Sequence, residues 1–181
     1  MCWPMWVFGY GSLMWDGWEQ RFGGRRVDRA RLMGYRRSFN KKSVTNWGTS
    51  GAPAPTLGLA PCQNAECTGT GFEFPEEQRT AVENFLRVRE GSSFTLDDLP
   101  VRLPDGEEIR AVTAVNDRTK STYIGNIPMA QRVDMARTAR GTSGACADYI
   151  REIHEKLSSL GIVDREVEEF AMLMGQTPKS P

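Results

Sequence analysis

The stretch Trp6-Val-Phe-Gly-Tyr-Gly-Ser-Leu-Met-Trp-Asp-Gly17 carries a short apolar run into the turn Tyr10-Gly11-Ser12-Leu13. The run is rich in aromatic and β-branched residues and predicts a buried strand over Trp3 to Gly9. Gly9 and Gly11 let the chain turn sharply and let a ligand approach the main chain. The exposed backbone N–H groups of that turn suit an anion. Ordinary hairpins also use Gly-Tyr-Gly, so the rest of the chain decides between the two readings.

Further along, Arg31 to Phe39, Thr56 to Pro61 and Cys67 to Phe74 read as strands, with Gly69 and Gly71 marking a bulge or a close backbone approach. Cys62 and Cys67 flank a hairpin turn in this reading. Pro75 opens a helix where its missing N–H costs nothing, Glu76 and Glu77 suit the first turn, and Gly91 ends it. Ala81, Val82, Phe85 and Leu86 form the apolar stripe of that helix, which closes on Arg89 and Glu90. Val101-Arg-Leu, the turn Pro104-Asp-Gly106 and Ile109 to Val115 predict a hairpin. Three helices follow: Pro128 to Arg140, Cys146 to Leu160, and a last one capped by Asp164 that carries Val167, Phe170 and Met174. Strands first and helices mostly last define an α+β class. The length suits one domain over residues 1–175, with 176–181 as a frayed tail.

The chain has 181 residues, and its 23 Lys and Arg balance 23 Asp and Glu, which argues against a general polyanion binder. The distribution is uneven: Arg25, Arg26, Arg29, Arg31, Arg36, Arg37, Lys41 and Lys42 face only Asp28. Such a segment suits a carboxylate-rich ligand, a phosphate backbone or a solvated strand face, and no nucleic-acid-binding motif accompanies it. The opening apolar run has no basic residue before it, is broken by Pro4 and meets Asp16 too early to cross a bilayer. A cytoplasmic protein with reduced thiols at Cys2, Cys62, Cys67 and Cys146 is expected.

Elimination narrows the chemistry. The single histidine, His154, sits mid-helix, and no Gly-x-Ser-x-Gly elbow supplies a nucleophile for it. Cys62 and Cys67 lack zinc-site spacing, there is no phosphate-binding Walker loop, and Gly9 and Gly11 lack the third glycine of a dinucleotide fold. Neither a metal nor a nucleotide cofactor is implied. Cys146 begins a helix, where the dipole lowers a thiol pKa unless the residue is simply packed. Glu90, beside a glycine at the end of an amphipathic helix, is the carboxylate available for proton transfer, or else an ordinary surface ion-pairing residue. Glu76, Glu77, Glu152, Glu155, Glu166, Glu168 and Glu169 are expected on exposed faces or first turns.

Taken in order, Val7-Phe-Gly-Tyr-Gly-Ser-Leu-Met-Trp15, Arg29-Ala-Arg-Leu-Met-Gly-Tyr-Arg-Arg-Ser-Phe39, Leu86-Arg-Val-Arg-Glu90, Tyr123-Ile-Gly125 and Ser143-Gly-Ala-Cys-Ala-Asp-Tyr149 resemble the ChaC-like γ-glutamylcyclotransferases. The resemblance runs from Trp6 to about Met174. It implies the γ-glutamylcyclotransferase-like fold, a small mixed β-barrel or sheet flanked by helices, and cyclisation of the γ-glutamyl group of glutathione to 5-oxoproline with release of cysteinylglycine. It implies no cofactor and no metal; the charge balance and the lack of a membrane segment lead to no expected nucleic-acid or membrane partner. By the same resemblance Glu90 is the catalytic acid and base, and Tyr10, Gly11, Ser12, Leu13, Tyr123, Cys146 and Tyr149 bind substrate. Glu90 is then expected to be shielded and to face Tyr10 to Leu13, with burial raising its pKa. Two departures stand out. The family's longer glycine-rich insertion ending in tyrosine is here the short Gly91-Ser-Ser-Phe94, and its Ser-Gly-Ser-Cys is Ser143-Gly-Ala-Cys146. Other γ-glutamyl amides or peptides, or a non-catalytic γ-glutamyl-binding module, are the alternatives.

Overall fold

The computed structural model describes residues 3–176; Met1, Cys2 and the expected tail residues 177–181 lie outside them. Contacts divide the chain into two compact units, Met1–Arg36 with Pro61–Asp117, and Arg37–Ala60 with Arg118–Pro181.

The first unit is organised by β1 (Met5–Gly9), β4 (Phe94–Arg102), β5 (Glu108–Asn116) and the adjoining parts of β2 (Arg25–Ser43) and β3 (Ala54–Phe74). The strands close a barrel in the order β1-β3-β2-β4-β5. β1 is antiparallel to β3, with Met5 opposite Phe74, and parallel to β5, with Val7 opposite Val112. A strand paired on both sides reads as a continuous apolar run, and all five residues of β1 are buried. The hairpin expected around Asp105 and Gly106 is present and pairs Phe94–Arg102 with Glu108–Asn116.

Where two strands and a hairpin turn were expected between Thr56 and Phe74, one strand of 21 residues runs instead. Drawn out straight it would span about 70 Å at roughly 3.3 Å per residue, so it must bend to follow a small barrel. Asn64 in β3, and Arg29 and Gly34 in β2, take positive φ values of 64°, 64° and 79°. These are the local kinks that let such long strands curve. Cys62 and Cys67 therefore lie along one strand.

After a 3-10 turn at Glu76–Gln78 comes α1 (Arg79–Glu90), which ends on Gly91 as expected. Val82 and Leu86 are buried with Met5, Val7, Leu13, Trp18, Phe72, Phe74 and Val112, and Phe85 packs against them, whereas Ala81 is exposed. Trp18 sits among Phe72, Phe74 and Phe85, with ring centroids 5.4, 5.2 and 5.2 Å away. Each such pair adds about 0.5–1.5 kcal/mol beyond the apolar burial itself.

The second unit holds the remaining parts of β2 and β3, α2 (Met129–Thr138), the two-residue strands β6 (Arg140–Gly141) and β7 (Gly144–Ala145), α3 (Cys146–Ser159) and α4 (Arg165–Leu173). Asp164 caps α4 as expected, accepting from the Val167 N–H at 3.2 Å. Its other oxygen accepts from the fully buried guanidinium of Arg37 at 3.0 Å. Glu166, expected on an exposed face, is instead buried. Its Oε1 accepts from Ser38 Oγ at 3.0 Å and the Phe39 N–H at 3.2 Å, and pairs with Arg132 at 3.3 Å. Arg132 also donates to the carbonyl of Phe39 at 2.9 Å. Burial of this acid is possible because three donors converge on its Oε1, one of them a guanidinium.

The basic segment is not a bare cationic strip. Arg25, Arg26, Arg31 and Arg37 pair with Glu73, Asp28, Glu66 and Asp164 respectively.

Candidate active site

β1 delivers the chain to Tyr10 and then to a 3-10 turn at Ser12–Met14. Gly9 is required by packing: a Cβ there would lie 3.0 Å from the Phe72 ring and 3.1 Å from the Leu13 Cβ. Its main chain is equally crowded, because a Cβ on Gly69 would sit 2.3 Å from the Gly9 carbonyl oxygen. The expected close approach at Gly69 is thus one strand against another, and the space beside Gly9 is filled by the protein's own side chains.

Within the 3-10 turn, Met14 N–H donates to the Gly11 carbonyl at 2.9 Å and Trp15 N–H to the Ser12 carbonyl at 3.2 Å. No side chain caps the turn. The N–H groups of Ser12 and Leu13 precede its first internal bond, which makes them donors without a helical partner. Ser12 is exposed and Leu13 buried. The Tyr10 hydroxyl donates to the Ala114 carbonyl at 2.8 Å, so its proton is used to join the end of β1 to β5.

Glu90 is the last residue of α1 and its side chain is only 19% exposed. The neighbouring Arg89 Nε lies 4.0 Å from Glu90 Oε1. The same guanidinium donates to Ser12 Oγ at 3.2 Å and forms a close ion pair with Asp16. Ser12, Asp16, Arg89 and Glu90 are therefore linked within the first unit.

Tyr123, Cys146 and Tyr149 belong to the second unit. Cys146 and Tyr149 occupy the first turn of α3 and both grip the start of β3. The Cys146 thiol donates to the Pro55 carbonyl at 3.5 Å, and the Tyr149 hydroxyl accepts the Leu57 N–H at 3.0 Å. The Tyr149 ring lies 5.0 Å from that of Trp47. Cys146 is fully buried, and burial pushes its thiol up to about 12, the reverse of the lowering a helix start would give. It acts as a packed hydrogen-bond donor. Tyr123 bridges to Lys41 of β2, is half-buried, and has the Arg118 guanidinium 5.6 Å over its ring. Gly125 is fixed by it, since a Cβ at Gly125 would fall 2.2 Å from the Tyr123 hydroxyl oxygen.

Three residues were missed from sequence. Arg89 and Asp16 were visible only as charges, and their contact spans 73 residues. Glu19 is 4% exposed with one carboxylate oxygen lacking a hydrogen-bond partner among the described residues. Among the described residues no group of three His, Cys, Asp or Glu could hold a metal ion, and no helix is long and apolar enough to cross a membrane.

The barrel and its helices define the γ-glutamylcyclotransferase fold. A glutathione-specific γ-glutamyl cyclotransferase from yeast superposes with a TM-score of 0.83 over 96% of each chain at 18% identity. The ChaC-like family model matches residues 5–176, and the chain belongs to that family. Among curated relatives, γ-glutamylcyclotransferase 2-3 of Arabidopsis thaliana is 29% identical, covering 92% of this chain and 86% of its own. The glutathione-specific γ-glutamylcyclotransferase of Schizosaccharomyces pombe is 26% identical over 93% and 90%. That of Escherichia coli is 27% identical over 89% and 68%.

Proposed function

We propose that this protein is a cytoplasmic γ-glutamylcyclotransferase that converts glutathione to 5-oxoproline and cysteinylglycine. The observation that carries the reading is the family match over both units, joined to a first unit in which the uncapped turn after β1 and the Glu90 end of α1 meet through Arg89.

The reaction is intramolecular. The substrate's α-amine attacks its own γ-carbonyl, a five-membered lactam forms, the γ-glutamyl amide bond breaks, and no water is consumed. Holding the reactive conformer makes effective molarities of about 10⁵–10⁸ M available, so no protein nucleophile is needed. Three tasks remain: removing a proton from the α-ammonium, stabilising the oxyanion, and protonating the departing amine. Glu90 takes the proton from the ammonium and returns it to the leaving nitrogen. Between a glutamate near 4.3 and an α-amine near 8 that first transfer is uphill by about 5 kcal/mol in water. A shielded carboxylate narrows the gap, because converting an ammonium–carboxylate pair to neutral partners is less unfavourable where water is excluded. The N–H groups of Ser12 and Leu13, with Gly11, serve the oxyanion. Tyr123 and Tyr149 are the further candidates for substrate contact, and Cys146 is a packed donor to the Pro55 carbonyl.

The deciding experiment is incubation of the purified protein with glutathione and mass-spectrometric detection of 5-oxoproline and cysteinylglycine in equal amounts. Release of 5-oxoproline from other γ-glutamyl amides with glutathione left intact would move the substrate class. The connection Gly91 to Phe94 favours including them: the Phe94 N–H returns to the Gly91 carbonyl at 3.4 Å and β4 starts at once, leaving little loop beside Glu90. Ligand-induced stabilisation with no product from any of these substrates would instead identify a binding module.

A further inference from the structure

The guanidinium of Arg89 has more to do than a surface charge at a helix end needs. One edge pairs with Asp16, a second nitrogen donates to Ser12 Oγ at 3.2 Å, and its carbon lies 5.9 Å from the centre of the Phe85 ring. Phe85 is itself stacked on Trp18, with planes 9° apart. The Trp18 indole N–H donates to the Leu13 carbonyl at 3.1 Å, and the Trp18 main-chain N–H reaches Asp16 Oδ1 at 3.4 Å. The segment from Ser12 to Trp18 is thus held at its hydroxyl, its carboxylate and its indole by groups that all lead back to α1.

We propose that Arg89 is a positioning residue: its planar fork braces the Ser12–Met14 turn against the end of α1, and so fixes the distance between the Ser12 and Leu13 N–H groups and the Glu90 carboxylate. The inference rests on the function proposed above, in which those two elements act on the same γ-carbonyl and amine. Fork geometry matters here more than charge. Lysine in place of arginine keeps the positive charge but reaches Asp16 or Ser12, not both in fixed directions. As a partly exposed ion pair the contact contributes little to stability, so its purpose is to be sought in rate. The oxyanion exists only in the transition state and its immediate intermediate, so a displaced turn lowers kcat while leaving ground-state binding nearly intact.

The test uses the full chain with Arg89→Lys, Asp16→Asn and the double variant. Asp16→Asn keeps an acceptor for the Trp18 N–H while removing the charge. With glutathione as substrate, Arg89→Lys is expected to lose about 10–100-fold in kcat, the scale of a misplacement near 1 Å, with KM within about threefold and Tm unchanged. Amide hydrogen exchange at Ser12–Met14 is expected to quicken, and the double variant to be no slower than Arg89→Lys alone, because both changes release one brace. An Arg89→Lys enzyme with kcat within twofold of the parent overturns the proposal while leaving the functional reading intact. Multiplicative losses in the double variant overturn it as well. A parent protein that releases no 5-oxoproline from any γ-glutamyl compound removes the functional reading and this inference with it.

Discussion

The Tyr10 hydroxyl donates to the carbonyl of Ala114 at 2.8 Å, a bond that spans 104 residues and fastens the exit of β1 to β5. Tyr10→Phe deletes that donor with almost no change in shape. The expected cost is about 0.5–1.5 kcal/mol of stability, measured by urea unfolding, with kcat/KM changed by no more than a few-fold. A large kinetic loss at undiminished stability would reassign the hydroxyl to the substrate.

Glu90→Gln keeps volume and hydrogen-bonding capacity while removing the base, so turnover should fall by about 10²–10⁴ with the fold intact. Glu19 is the informative control, because it is the more deeply buried carboxylate of the same unit and has an oxygen without a partner among the described residues. Glu19→Gln is expected to leave turnover within a few-fold. If the two results are reversed in a continuous 5-oxoproline assay, the wrong carboxylate has been assigned.

Much of the architecture was legible because its causes are local. The apolar run into Gly9, the Asp105-Gly106 turn, Pro75 ahead of α1 with Gly91 behind it, and the Asp164 cap are each decided within a few residues. The continuity of β3 was not legible, since the stretch from Pro61 to Glu66, none of it buried, shows no core-facing alternation and Asn64 bends the strand. The burial of Glu166 was hidden for a different reason. Its partners Ser38 and Arg132 lie 128 and 34 residues away, and a helix written Arg165-Glu-Val-Glu-Glu169 looks solvated until the fold brings them to it. The pairing of Arg89 with Asp16 is of the same kind, a contact between charges that no spacing rule connects.

Removing one partner of a buried ion pair strands the other in a place without water. Glu166→Ala leaves Arg132, whose side chain is 8% exposed, without its carboxylate, and is expected to cost about 3–5 kcal/mol in chemical denaturation. Glu166→Leu combined with Arg132→Met should recover a good part of that loss. A double variant no more stable than Glu166→Ala would show that the hydrogen bonds to Ser38 and Phe39 matter more than the unpaired charge.

Burial pushes the Cys146 thiol up to about 12, so below pH 9 it is a neutral donor to Pro55 and a poor nucleophile. Alkylation at pH 8 followed by peptide mapping is expected to modify the half-buried Cys62 and to spare Cys146 until the protein unfolds. The sign of the pH effect follows from linkage. Above about 9 the unfolded thiol ionises while the native one stays protonated, so stability declines as pH rises toward 12. Cys146→Ala should flatten that decline, and an unchanged slope would locate its cause in another group.

The Tyr123 hydroxyl lies where a side chain at Gly125 would begin, 2.2 Å from an ideal Cβ position. Gly125→Ala is expected to push the ring away, since three of its outer atoms lie within 3 Å of the new methyl position. If Tyr123 contacts the substrate, this displacement raises KM several-fold with a smaller effect on kcat, and Tyr123→Ala reproduces the same KM. The two changes together should then be no worse than either alone, since both empty one position. A Gly125→Ala enzyme with unaltered KM, beside a Tyr123→Ala enzyme with a raised one, would mean that the ring tolerates the methyl group in place. Unaltered KM in both would remove Tyr123 from the substrate-binding set.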